Sequence, residues 1–241
     1  MLNKIDIKSF LNQSTLLHEN LTPGNLDSQS KNSICWLKTS KYYPRFKQGY
    51  LILTEGDLEQ IEELGIGDNV YIGLNVDIGK NVKIFNNTSI HNNTTIGNNC
   101  IIKENVVIGS EGLGFEWDGD ELVKFPQIGG VTIGDEVEVN TFTDIKRGAL
   151  SNTVIGDKCK IGSYINIGHN VIIGKKCMFT SQCVVAGSTV IGDRFFMGVN
   201  SSTRNGIKIG NDCTLGAHSY ANSNIPNNQT IIGIGNKNKF I

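Results

Sequence analysis

Isoleucine recurs at every sixth position from residue 66 to residue 108. The unbroken series is Ile66, Ile72, Ile78, Ile84, Ile90, Ile96, Ile102 and Ile108. Four residues after each of the first seven isoleucines comes a small or β-branched residue, beginning with Val70 and Val76. A period of six matches neither the 3.6-residue turn of an α-helix nor the two-residue repeat of a plain strand. It matches a three-sided parallel β-helix in which each hexad forms one side.

The hexads continue through most of the chain. They stop at Ser110, return at Ile133, Val139 and Ile145, and run again from Ile155 to Leu215. Three hexads make one coil, so equivalent residues stack about 4.8 Å apart. We expect the large apolar residue inside, the small residue at a corner, and Gly or Asn beside the aliphatic residue to allow the bend. The sequence therefore predicts a mainly β fold, a left-handed parallel β-helix of hexapeptide repeats.

The β-helix is predicted over residues 65–222, with separate segments on either side. Residues 1–64 lack hexads and predict a small α/β domain, with a strand at Gly49–Thr54 and a short helix at Asp57–Leu64. Residues 223–241 are predicted to form a C-terminal tail. The start of the chain lacks the features of a secretory signal, and no stretch approaches the roughly 20 apolar residues of a spanning helix. We expect a cytoplasmic protein without a membrane span.

Charge and cysteine usage exclude several classes of partner. The chain has 22 basic and 23 acidic side chains, a net charge of -1, so nucleic acid is not an expected partner. Five cysteines occupy inward small positions of hexads: Cys100, Cys159, Cys177, Cys183 and Cys213. Cys159 and Cys177 are one coil apart, which leaves a disulfide open on distance, but a cytosolic compartment favours thiols. The cysteine spacing is not that of a zinc site, and no metal is expected.

Two interruptions of the repeat are candidate sites, because a solenoid places insertions on its surface beside its binding face. The longer interruption, the inserted loop 110–132, mixes glycine, aromatic and acidic residues that could cover a ligand. A surface loop without a ligand is the alternative interpretation. The shorter interruption places Lys146, Arg147 and Gly148 at a coil corner.

His169 is the candidate general base. A base that acts near neutral pH is most often histidine, and His169 is the third residue of its hexad, a position that points outward. Eighteen residues later the same position of the next coil is Gly187. A glycine there exposes its backbone N–H, which predicts an oxyanion donor beside the base. A solvent-exposed histidine with no catalytic role is the alternative, and it is the interpretation we adopt for His91 and His218.

Five motifs in order resemble one enzyme family. They are Ile108–Phe115, Lys124–Gly129, Arg147–Leu150, Ile167–Asn170 and Ala186–Ser188. In this order they are similar to the UDP-3-O-acylglucosamine N-acyltransferases of lipid A synthesis and their hexapeptide-transferase relatives. The similarity covers roughly residues 66–222 and is far more specific than the hexads alone.

The resemblance implies acyl transfer to a sugar amine. It assigns His169 as the base that deprotonates the amine and Gly187 as the amide that binds the tetrahedral oxyanion. It implies a homotrimer with active sites in the clefts between neighbouring prisms, lined by the loop that contains Gly114 and Phe115. The family binds its nucleotide through an N-terminal domain, where the candidates here are Trp36, Tyr42 and Tyr43.

Several residues depart from the family pattern. The family has an aspartate seven residues before the base, where this chain has Gly162, so the acid that would orient His169 is unassigned, with Asp144 and Asp157 as candidates. A second family histidine is replaced by the stretch Arg204–Gly206.

The C-terminal segment points to the acyl donor. The family's C-terminal helices for carrier protein and acyl chain are missing, which speaks against a long acyl chain. Residues 225–237 instead resemble the closing segment of hexapeptide transferases that use coenzyme A, with Gly235 and Lys237 as candidate coenzyme contacts.

The leading prediction is an N-acyltransferase that moves a short acyl group from acyl-CoA to the amine of a nucleotide-linked amino sugar, for surface polysaccharide. Two alternatives stay open. One is the carrier-protein-dependent reaction of lipid A synthesis, and the other is a non-catalytic solenoid scaffold.

Overall fold

The computed structural model describes residues 65–233, together with the backbone of residues 22–23, 33–37 and 50–53. By its internal contacts the chain divides into two compact units, Met1–Gln60 and Ile61–Ile241.

Three strands are described in the first unit. Thr22–Pro23, Ser33–Leu37 and Tyr50–Leu53 form a parallel sheet in that order. The last strand lies within the predicted strand Gly49–Thr54. The predicted helix at Asp57–Leu64 falls outside the described residues.

The second unit is the predicted left-handed parallel β-helix. The chain passes in turn over three parallel sheets, which we call faces 1, 2 and 3. Face 1 contains Tyr71–Ile72, Ser89–Ile90, Val107–Ser110, Asp144–Lys146, Asn166–Ile167, Val184–Val185, Ser202–Thr203 and Tyr220–Ala221. Face 2 contains Asp77–Ile78, Thr94–Ile96, Val131–Ile133, Thr153–Ile155, Ile172–Ile173, Val190–Ile191 and Lys208–Ile209. Face 3 contains Lys83–Ile84, Ile101–Ile102, Glu138–Val139, Lys160–Ile161, Met178–Phe179, Phe196–Met197, Thr214–Leu215 and Thr230–Ile231.

The hexad aliphatic residues form the interior, as predicted. Ile167, for example, lies in register between Ile145 of the preceding coil and Val185 of the next, and all three are fully buried. The five hexad cysteines are buried and free, which confirms their assignment as core thiols. Backbone hydrogen bonds join each strand to the equivalent strand of the neighbouring coil, so the core is one continuous apolar column.

The corners bend at a different residue from the one expected. The left-handed backbone belongs to the third residue after the aliphatic position, as at Asn69 (φ 54°) and Asn170 (φ 59°). Asparagine tolerates this region better than most residues because its short polar side chain bonds locally. The glycine beside the aliphatic residue serves close approach instead: a Cβ on Gly67 would lie 2.8 Å from the backbone nitrogen of Asn86.

The β-helix also extends beyond the predicted boundary at residue 222. Ile225 is buried and bridges to Ile209, and the strand Thr230–Ile231 pairs with Thr214–Leu215. The six-residue spacing from Ile225 to Ile231 is the hexad period, but Ile225 follows Ala221 by only four residues, so the register of the earlier hexads is lost. Within the described part of the chain, no helix is long and apolar enough to cross a membrane.

We predict that the stability of the β-helix depends on the inward position of each strand. Ile161→Ala should lower the free energy of unfolding by about 2–5 kcal/mol, because Ile161 is fully buried and the change leaves a cavity. Lys160→Ala, in the same strand, is the matched control. Its side chain is half-exposed and its ion pair with Glu138 is at the surface, so the expected loss is below about 1 kcal/mol. Equal losses in denaturant titrations would contradict this packing.

Candidate functional site

The inserted loop leaves face 1 through a bulge. The register of the strand pair shifts between Ile108 and Ser110, so that Ser110 aligns with Lys146. Gly109 supplies the backbone at the bulge, with φ 84°. The Arg147 guanidinium donates to the carbonyl of Gly109 (Nε–O 2.7 Å) and to that of Asn92 (Nη2–O 3.0 Å). One cation therefore fixes the point where the loop departs.

The loop itself contains an antiparallel hairpin. Its strands, Phe115–Asp118 and Glu121–Lys124, are exposed along their whole length. The segment before the hairpin is held by Gln127, which is buried. The Gly112 N–H donates to Gln127 Oε1 (2.7 Å), and Gln127 Nε2 donates to the Gly112 carbonyl (3.2 Å).

This clamp places the loop against His169. An ideal Cβ on Gly112 would lie 3.1 Å from His169 Cδ2, so the glycine backbone covers one edge of the imidazole. Gly114 is also close to Gln127, whose Nε2 would lie 2.8 Å from a Cβ there. The long insertion thus contributes directly to the surroundings of the candidate base.

Gly187 lies against the other side of the imidazole. An ideal Cβ on Gly187 would stand 2.8 Å from His169 Nε2 and 2.9 Å from Cε1, which is closer than real Cβ contacts allow. Any larger residue would displace the ring. The Nδ1 atom of His169 faces Asn170 Oδ1 at 3.1 Å.

The amide of Gly187 has no acceptor among the described residues. At the corner between faces 2 and 3, side-chain oxygens of the next coil accept from the equivalent amides, as Asp193 does from Lys175 (2.8 Å) and Asn211 from Asp193 (2.7 Å). At the His169 corner the residue one coil later is Gly187, which has no side chain to cap the His169 N–H. The capping ladder is interrupted here, and both amides stay available to a ligand.

Polar groups border this site on the neighbouring coils. Asn205 Oδ1 would lie 3.0 Å from a Cβ on Gly187. On the coil before His169, Asp144 accepts a hydrogen bond from Ser110 (2.9 Å) and pairs with Lys146 (2.5 Å). A ligand that passes His169 along face 1 therefore meets the Asn205 carboxamide on one side and the Asp144 carboxylate, ion-paired with Lys146, on the other.

The two candidate acids for orienting His169 bind other groups. Asp144 is engaged with Ser110 and Lys146, as above. Asp157 pairs with Lys175 (2.8 Å), and the hydrogen bond from Lys175 lowers the pKa of Asp157. The group that faces His169 Nδ1 is a carboxamide. No cluster of three or more potential metal ligands occurs in the described residues.

His91 lies at the corresponding corner of an earlier coil, packed edge-on against Tyr71 with ring centroids 5.7 Å apart. Burial lowers the pKa of His91, and the nearby Arg147 guanidinium lowers it further. The neutral form of His91 is therefore favoured, and the cations beside it are Arg147 and Lys146.

The other predicted site residues divide into two groups. Phe115 begins the exposed hairpin, and its side chain is partly exposed. Trp36 lies in the strand Ser33–Leu37. Tyr42, Tyr43, Gly235 and Lys237 fall outside the described residues. Their binding roles stay predictions.

Sequence reasoning missed three features of this site: the roles of Gln127 and Asn170, and the binding of two backbone carbonyls by Arg147. Gln127 and Asn170 stand within the motifs already recognised, beside residues with assigned roles. A comparison of hexad positions would have shown that Gly187 is the one glycine at the position where Asn92 and Asn205 stand on other coils of the same corner. The partner of Gln127 could not be read from sequence, because it depends on how the insertion folds back.

Two repeat models match the β-helix. The bacterial transferase hexapeptide model matches residues 75–110 and 152–187, and the hexapeptide repeat of succinyl-transferase matches residues 188–220. The hexads of the β-helix are thus similar to the hexapeptide repeat of bacterial transferases.

Among curated proteins, the chain resembles UDP-3-O-acylglucosamine N-acyltransferases. It is 55% identical over 64 residues to the protein of Dechloromonas aromatica and 48% identical over 64 residues to that of Neisseria gonorrhoeae. Each match spans 27% of this chain and 18% of the relative.

Solved structures share the fold over a longer stretch. UDP-N-acetylglucosamine O-acyltransferase (LpxA) of Moraxella catarrhalis is similar at a TM-score of 0.64 and 22% identity, covering 70% of this chain and 64% of that one. LpxA of Acinetobacter baumannii gives a TM-score of 0.63 and 26% identity, with the same coverage of both chains.

We predict that Gly187→Ala displaces His169. The added methyl group would occupy the space of Nε2, so the His169 ring must rotate away from Gly187. Histidine side-chain resonances, or a crystal structure of the variant, report the change. Gly216→Ala is the matched control, because the nearest atom to its Cβ is the Ile231 carbonyl oxygen at 3.3 Å and none of the three nearest atoms belongs to a histidine. An unmoved His169 ring in Gly187→Ala would contradict the described contact.

We also predict that Gln127→Ala loosens the loop over His169. It removes two hydrogen bonds to Gly112 and leaves that backbone unpaired, at a local cost of about 1–3 kcal/mol. Hydrogen exchange at residues 111–114 should accelerate by about tenfold or more, while residues 153–220 stay protected. Gln229→Ala, at an exposed position, should change neither region. Unchanged exchange at residues 111–114 would show that Gln127 does not hold the loop.

Proposed function

We propose that this chain is an N-acyltransferase that moves a short acyl group from acyl-CoA to the amine of a nucleotide-linked amino sugar, with His169 as the general base. The observation that carries the proposal is that His169 Nε2 lies beside the Gly187 backbone, whose N–H has no acceptor among the described residues. A base and an aimed N–H are the two groups that acyl transfer to an amine requires.

The amine nitrogen attacks the thioester carbonyl carbon and its proton passes to His169 Nε2, while the Gly187 N–H binds the oxygen that becomes negative. The carbon–sulfur bond then breaks, and the thiolate takes the proton from the imidazolium. The products are an amide and a free thiol. The reaction needs the amine held within about 3–3.5 Å of the carbonyl carbon.

The similarity to named transferases supports the substrate class. The relatives that match over the repeats are named for N-acyl transfer to a UDP-linked acylglucosamine, and the solved structures are named for acyl transfer to UDP-N-acetylglucosamine. The sequence of residues 225–237, with its similarity to coenzyme A-dependent transferases, supports acyl-CoA as donor, with Gly235 and Lys237 as contacts. Trp36, Tyr42 and Tyr43 are the proposed stacking groups for the nucleotide base, and Gly114 and Phe115 the proposed loop contacts.

A homotrimer completes the proposal, because a cleft between prisms would enclose the exposed side of His169. Sedimentation of the purified protein measures its oligomeric state directly. A monomer at micromolar concentration that still turns over substrate would remove the trimer from the mechanism.

We predict that His169→Ala lowers the chemical rate by about 100-fold or more, since general-base catalysis typically contributes 10²–10⁴-fold. Thiol release from acetyl-CoA and short hydroxyacyl-CoAs, measured against a panel of UDP- and dTDP-linked amino sugars, provides the assay. His218→Ala is the matched control: His218 is an exposed corner residue that faces Asn200, and turnover should stay within twofold. Full activity of a folded His169→Ala variant would exclude His169 as the base.

The same assay distinguishes the donors. Turnover with one acyl-CoA and one sugar supports the proposal and names both substrates. Turnover only with acylated carrier protein would replace the donor while keeping the reaction. No product with either donor, from a folded preparation, would leave the non-catalytic scaffold as the better description.

A further inference from the structure

The orientation of the Asn170 carboxamide is fixed by its neighbours. The Ala149 N–H lies 3.0 Å from Asn170 Oδ1, and a backbone N–H can only donate, so this atom must be the oxygen. The other end of the group confirms the assignment. Asn170 Nδ2 donates to Ser151 Oγ (3.1 Å) and to the Ser151 carbonyl (3.4 Å).

The oxygen fixed in this way is the atom that faces His169 Nδ1, at 3.1 Å. An acceptor there requires Nδ1 to carry the ring hydrogen. In the neutral imidazole Nε2 then holds the lone pair, and Nε2 is the atom directed at Gly187. We propose that Asn170 is a positioning residue that selects the Nδ1–H tautomer of His169 and so makes Nε2 the base. This inference rests on the proposed function for its catalytic consequence.

The rest of Asn170 is held as firmly as its side chain. Its backbone N–H donates to Thr153 Oγ1 (2.9 Å), and its φ of 59° belongs to the left-handed corner. The carboxamide thereby connects the short interruption at residues 147–152 to the base. No carboxylate of the described residues takes this place, since Asp144 and Asp157 are paired with lysines.

A carboxamide has a different effect from a carboxylate. Both accept from Nδ1–H and hold the ring, but only a carboxylate supplies a negative charge to the imidazolium formed during the reaction. The site therefore has a fixed tautomer without a buried ion pair. The motif around His169 already contains the group that orients it, which accounts for the absence of an aspartate at Gly162.

The test uses the whole chain with ¹⁵N-labelled histidine, at a pH where the histidine side chains are uncharged. Nitrogen chemical shifts separate the two tautomers, and His169→Ala identifies the His169 signals. We expect the Nδ1–H form in the unaltered protein and a mixture or the Nε2–H form in Asn170→Gly. Glycine is chosen because it adopts the left-handed backbone without strain. Asn170→Asp keeps the acceptor and should retain the Nδ1–H form.

Two controls separate orientation from general damage. Asn75→Gly makes the same change at the same corner of an earlier coil, where φ is 55°. Asn152→Ala loosens the same interruption from its other side, since Asn152 Oδ1 accepts from the Gly130 N–H (2.9 Å) and does not touch His169. Both should leave the His169 tautomer unchanged. An Nε2–H form in the unaltered protein, no change in Asn170→Gly, or an equal change in Asn152→Ala would overturn the proposal.

Turnover provides the second readout. Asn170→Gly should lower kcat by about tenfold or more with KM within about twofold, because the ring is wrongly protonated and substrate contacts are intact. Asn170→Asp should recover most of the lost kcat. Because the tautomer is measured without substrate, an inactive unaltered protein with the Nδ1–H form would count against the proposed function alone. A normal kcat in Asn170→Gly would overturn the role of Asn170.

Discussion

The structure depends on the hydrogen-bonded stacking of each coil on the next. A two-residue strand buries only one side chain and has no stability by itself, but in register it shares backbone bonds with the strands before and after it. Stacking brings identical side chains together, so the aliphatic residues form one apolar column and the left-handed corner residues form straight rows. Each hexad is stable because its neighbours repeat it.

The candidate site lies where this regularity is interrupted. At several other corners an Asn or Asp of the next coil caps the corner amide, but at the coil after His169 that residue is glycine. The absence of a side chain at Gly187 has two effects: it leaves the His169 N–H without the side-chain acceptor found at other corners, and it makes room for the imidazole. The candidate site is therefore formed where one corner residue of the solenoid, Gly187, has no side chain.

The insertions are attached to the solenoid through polar groups. Arg147 binds two backbone carbonyls where the long loop departs, and the buried Gln127 pairs with the backbone of Gly112. The shorter interruption is joined to the base through Asn170. The loop and the ring are consequently held by hydrogen bonds with definite directions, as a preorganised site requires.

The sequence alone determined the solenoid, because a six-residue period of isoleucine has few solutions that bury every repeat. It also determined His169 and Gly187 as neighbours, since residues 18 apart stack on adjacent coils. It misplaced the C-terminal boundary, where the step from Ala221 to Ile225 is four residues in place of six, and it assigned the bend to the Gly or Asn beside the aliphatic residue.

Only the tertiary structure decided what surrounds His169. The partners of Nδ1 and the position of Gly112 depend on how two irregular segments fold back, and no repeat governs those segments. The six-residue period predicts the core and corner positions, because these recur in every hexad. The contacts made by Gln127 and Asn170 occur once, so they follow from three-dimensional packing.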